Sequence, residues 1–80
     1  MNNPKKIFTT SQQLQAALFR VSSLNESQRA AVFEALRPEL DDNGVSAEEL
    51  KRVLRELRLD GKISDIDRRN LLQLAGEEHV

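Results

Sequence analysis

Four times along this chain a run of residues with the period of an amphipathic helix follows a side chain able to cap one, and nowhere does an apolar pattern alternate with period two. That combination points to a helical fold. The first run follows Thr10, which with Gln13 makes a capping box, and its apolar stripe is Leu14, Ala17, Leu18 and Val21. Asn25 with Gln28 opens the second, which passes through Val32, Phe33 and Leu36 and is expected to stop at Pro38. The third begins at Ser46 and carries Leu50, Val53, Leu54 and Leu57 at the i, i+3, i+4, i+7 spacing of one buried face. The fourth opens near Ser64, places Leu71, Leu74 and Ala75 on one face with Leu72 beside them, and has Gly76 to end it.

The connections are short, so neighbouring helices should pack roughly antiparallel. The expected fold is all-α, a compact bundle of four short helices spanning residues 9–76, with residues 1–8 as an N-terminal arm and 77–80 as a frayed tail. The expected core is Leu14, Leu18, Val21, Val32, Phe33, Leu36, Leu50, Val53, Leu54, Leu57, Leu71 and Leu74. At 80 residues one such core supplies only about 3–5 kcal/mol, so self-association or a partner is a reasonable expectation.

Several function classes find little support. The chain has no cysteine, hence no disulfide and no thiolate metal site. His79, the one histidine, falls in the tail without a rigid partner for general-base work, and no glycine-rich phosphate loop is present. No enzymatic activity and no cofactor are expected. The lysine pair near the N-terminus is followed by no apolar stretch suited to a leader, and no segment approaches the roughly 18 apolar residues of a membrane span. A soluble, cytoplasmic protein is the expectation.

Net charge is −1, but residues 1–37 sum to +3, residues 38–50 to −5 and residues 51–80 to +1. The acidic block is "LDDNGVSAEELKRVL" and its flank. Together with "LDGKIS", this segment resembles the loops of calmodulin-like EF-hand proteins over residues 38–68. The resemblance implies a degenerate EF-hand-like arrangement of helix, loop and helix. In that family a twelve-residue loop offers oxygens at positions 1, 3, 5, 7, 9 and 12 around a glycine at 6. With Gly44 as that glycine, Glu39, Asp41 and Asn43 fall at 1, 3 and 5, but Leu50 stands where the bidentate glutamate belongs. Shortening the loop by one residue brings in Glu49 and leaves Asp41, Asn43 and Glu49 as the alternative metal ligands. With Gly61 instead, Arg58 falls at position 3, where a guanidinium cannot coordinate a cation. The same letters are explained without metal by a Ser46–Glu49 capping box, with Val45 and Leu50 as its hydrophobic staple. No metal is the primary expectation, and a calcium-responsive module the second alternative.

A basic arc of Lys51, Arg52, Arg55 and Arg58 runs along the third helix beside its leucine stripe, with Lys62 in the next loop and Arg68 and Arg69 beyond. It suits phosphates, although nearby carboxylates neutralise much of it. Phe19 lies off the main stripe of the first helix: either that helix is wrapped on two sides or Phe19 belongs to an exposed apolar patch. Ile7 and Phe8 pose a similar choice, because the arm can fold over its own core or exchange into a second copy. The primary functional expectation is a small non-enzymatic protein–protein interaction module or regulator, with a homodimer as one form. Its candidate partner-binding residues are Phe8, Phe19, Lys51, Arg55, Arg58 and Lys62. A nucleic-acid binder using the basic arc is the first alternative.

Overall fold

The computed structural model describes residues 6–41 and 43–75. Residues 1–5 of the arm, Asp42, Gly76 and the tail with His79 lie outside the described residues. Four α-helices follow one another: α1 (Ser11–Phe19), α2 (Glu26–Asp41), α3 (Ala47–Leu59) and α4 (Asp65–Leu72), the last continued by a 3₁₀ turn over Gln73–Ala75. Helices α1 and α2, α2 and α3, and α3 and α4 pack as successive neighbours. The all-α expectation holds.

Each helix start uses the chemistry read from the sequence. Thr10 Oγ1 accepts from the N–H of Gln13, and Gln13 returns its side-chain oxygen to the N–H of Thr9 at 2.8 Å. Asn25 and Gln28 exchange backbone and side-chain bonds at 2.8 and 2.9 Å. Ser46 with Glu49 and Ser64 with Asp67 form complete capping boxes. At the other end of α3, Gly61 sits at φ +76°, and the N–H groups of Lys62 and Gly61 bond back to the carbonyls of Leu57 and Arg58. That is the reversal for which glycine is favoured after a helix.

The second helix departs from expectation, running through Pro38 to Asp41. Proline removes only the N–H that would reach Glu34, and both residues face solvent, where the freed carbonyl can be hydrated. Beyond it, partly buried Leu40 packs on the core, Glu39 pairs with Arg52 of α3 at 2.9 Å, and the Glu39 carbonyl accepts from Gly44. These contacts hold the last turn. Pro38→Ala is therefore expected to stabilise the protein by about 1–2 kcal/mol, the helix-interior penalty less the unfolded-chain entropy that proline removes. Urea titration followed by far-ultraviolet circular dichroism would measure it.

A two-stranded antiparallel sheet is the element that the sequence pattern did not announce. Strand β1 (Lys6–Phe8) pairs with β2 (Val45–Ser46), matching Lys6 to Ser46 and Phe8 to Val45. The arm thus belongs to the domain from residue 6 onward, rather than preceding it. Gly44, at φ +99°, makes the approach possible, because a Cβ there would lie 2.7 Å from the Phe8 carbonyl oxygen.

The core gathers Leu14, Leu18, Val21, Val32, Leu36, Leu50, Val53, Leu54, Leu57 and Leu71 as expected, while Phe33 and Leu74 are only partly buried at its margin. It also takes in Phe8, Leu24, Val45 and Ile63, from the strands and the loops that close each helical pair. No helix among the described residues is long and apolar enough to cross a membrane.

Candidate interaction surfaces

Phe8 is not presented at the surface. It is 6% exposed, drawn into the core by the β1–β2 pairing and by packing with the apolar cluster. Phe19 is the opposite case. As the last residue of α1 it is 68% exposed, because α1 ends before a second layer can cover its far side. The guanidinium carbon of Arg29 lies 4.8 Å from its ring centroid, a cation–π contact between α1 and α2. The same guanidinium donates to the Leu24 carbonyl at 3.1 Å, so Arg29 is fixed at both ends. Beside the ring runs a groove of about 360 Å³. Leu18, Ala30 and half-buried Phe33 supply its apolar surface, and Gln15, Glu26 and Glu34 its polar rim. Its size suits one or two side chains of an incoming segment.

A second groove, of about 460 Å³, lies between α3 and α4. Its α3 wall is Lys51, Arg55, Arg58 and Leu59, a stripe at i, i+4, i+7 and i+8. Asp65, Arg68 and Leu72 form the α4 wall at i, i+3 and i+7. The α3 stripe is exposed, whereas Asp65, Arg68 and Leu72 are half-buried and Leu72 also packs against the core. Asp65 gathers three arginines: Arg58 at 3.1 Å, Arg68 at 3.3 Å and Arg69 at 3.9 Å. Partial desolvation opposes ionisation of Asp65, but Arg68 and Arg58 outweigh it and hold its carboxyl below the ordinary value. Lys62 is exposed in the turn beyond and does not line the groove. The basic arc is thereby divided: Lys51, Arg55 and Arg58 come together with Arg68, whereas Lys62 stands apart.

No protein-family model, no curated protein and no solved structure matches this chain.

The residues of the calcium alternative sit around the Gly44 turn. Asn43 has φ +112°, and Asp41 and Asn43 are exposed. Glu49 accepts from the Ser46 N–H at 2.9 Å and faces Lys6 Nζ at 4.0 Å. The Ser46 N–H holds the Glu49 carboxyl below its ordinary value against a smaller opposing effect of burial, and Lys6 adds to the lowering. Its charge is thus already engaged by the helix start. Among the described residues no three carboxylate or histidine side chains converge as a metal site would require. The strand leaving the Gly44 turn pairs with β1, and not with the Gly61 turn.

Two features of the surfaces were beyond sequence reasoning. The stacking of Arg29 on Phe19 depends on how α2 crosses the end of α1, and Leu72 facing the arc of α3 depends on the α3–α4 turn. Leu59 carried a weak signal, as an apolar residue at the end of a stripe of cations.

Proposed function

We propose that this protein is a non-enzymatic helical interaction module whose partner is another protein chain, a second copy of itself included. The observation supporting the reading is Phe19, two-thirds exposed at the rim of the α1–α2 groove with Arg29 fixed over its ring. An aromatic residue with an arginine at its side, next to a groove with an apolar floor and polar rim, is the composition of a protein–protein hot spot. Leaving such a ring in water forgoes the burial that a partner would supply. The calcium-responsive alternative ranks behind, since a cation would have to draw Glu49 away from the Ser46 N–H.

Phe19→Ser is the test, because little inside the monomer depends on the ring. The unfolding free energy should fall by no more than about 1 kcal/mol, the scale of an exposed cation–π contact. Sedimentation velocity would follow self-association, and capture with the tagged full chain followed by mass spectrometry would follow other partners. The expected result is loss of the dimer or of a stoichiometric protein partner with the fold intact. A variant that keeps the parent's oligomeric state and every partner overturns the proposal.

A further inference from the structure

We infer that the α3–α4 groove is a second docking surface, separate from the Phe19 groove, and that its occupant is an acidic amphipathic helix of another protein. Charge is the first argument. Besides Lys51, the walls carry Arg55, Arg58 and Arg68, and Arg58 and Arg68 share the carboxylate of Asp65 with Arg69. Arg55, exposed in the middle of the α3 stripe, has no ion-pair partner among the described residues. A surface with this surplus selects a partner of opposite sign.

Apolar chemistry separates the candidate partners. Leu59, 71% exposed, stands at the end of the α3 wall, and half-buried Leu72 lies on the opposite wall. A phosphate backbone has no use for two leucines, whereas a peptide helix sets apolar anchors into such a groove. Spacing agrees with this. Lys51, Arg55 and Arg58 follow one another at i, i+4 and i+7, the interval at which glutamates recur along one face of a helix laid beside α3. The groove therefore specifies both halves of the occupant: carboxylates toward the cations of α3 and leucines toward Leu59 and Leu72 at its apolar positions.

The test uses the full chain labelled with ¹⁵N and a synthetic helical peptide of repeated Glu-Glu-Leu-Leu, about 15 residues long so that a helix can form. The expected result is saturable movement of the amides of Arg55, Arg58, Leu59 and Leu72, and no binding by the same peptide with lysine in place of glutamate. Arg55→Glu should weaken the peptide about five-fold or more, and Leu59→Ala should weaken it as well. Both side chains are exposed, so amide dispersion elsewhere should be unchanged. Four outcomes overturn the inference. Arg55→Glu leaves the affinity unaltered. A peptide with serine in place of leucine binds equally well, which reduces the groove to a counterion site. A twelve-base-pair DNA duplex binds this face more tightly than the peptide, which makes it a nucleic-acid surface. Unlabelled copies of the chain move the same amides, which makes the occupant a second copy.

Discussion

Replacing Asp67 by alanine is expected to lower the unfolding free energy by about 2–4 kcal/mol, most of what a core of this size provides. The reason is its position between two helix starts. One oxygen, Oδ2, accepts from the Ser64 N–H at 3.0 Å and from Gln28 Nε2 at 3.1 Å. Gln28 in turn accepts the Asn25 N–H at 2.9 Å, and Asp67 gives its own N–H to Ser64 Oγ. The capping pair of α2 and the capping box of α4 are thus joined by one hydrogen bond. Asp67 is only 3% exposed, yet among the described residues no fully buried side-chain polar atom lacks a hydrogen-bond partner. Truncation removes the cap, worth about 1 kcal/mol, leaves the space of a buried side chain, and takes its acceptor from the half-buried Gln28 amide. Gln28→Ala should be non-additive with Asp67→Ala by at least about 0.5 kcal/mol in a double-mutant cycle.

The same carboxylate shapes the response to acid. Burial raises the Asp67 pKa, but the Ser64 N–H, the hydroxyls of Ser23 and Ser64 and the Gln28 amide outweigh it and leave the group below its ordinary value. A carboxyl lowered in the folded state takes up protons on unfolding in acid. Its stabilisation is complete above about pH 5 and is lost as the pH falls past the unfolded value near 3.9 toward the lower folded one. Asp67→Asn keeps an acceptor for the cap and should cost less than alanine, with a shallower fall in stability over that window. Denaturant midpoints measured from pH 3 to pH 7 would show whether the acid limb flattens.

The second large effect is expected at Gly44. An added Cβ would stand 2.7 Å from the Phe8 carbonyl oxygen and 3.3 Å from Thr9 Cα, on a backbone already at φ +99°. Backbone cannot yield as the end of a flexible side chain does. Gly44→Ala should therefore cost about 2–3 kcal/mol, combining positive-φ strain with loss of the β1–β2 approach. Gly61→Ala provides the comparison: φ is +76° there, but nothing lies within 4 Å of the new methyl group, so the cost should be only about 1 kcal/mol. Hydrogen exchange adds a spatial prediction. In Gly44→Ala the amides of β1 should lose protection first, while those inside α3 remain slow.

The helices were legible because their signals are local. A capping side chain, its partner three residues on and an apolar stripe all lie within about three turns, so Ser46–Glu49 and Leu50–Leu57 could be read without tertiary knowledge. What escaped is what distant segments decide together. Three residues of β1 and two of β2 are too few to display alternation, and each strand is defined by the other. Pro38 is a sound stop signal on its own, overridden here by Leu40 on the core and Glu39 on Arg52. Leu24 and Ile63 belong to no helical stripe, because they plug the core from the loops. The candidate surfaces divide in the same way: the cations of α3 were visible as a stripe, whereas the opposite wall and the burial of Phe8 required the turns between helices.

The β1–β2 pairing also sets an order of events. Its two strands are separated along the chain by the whole of α1 and α2, whereas each helical pair is closed by a short turn. Closing a long segment costs more chain entropy than closing a short one, so helical hairpins assemble early and the strand contact comes late. Phe8 then enters a core whose other members are already in place, and the final step of folding is the seating of an N-terminal latch.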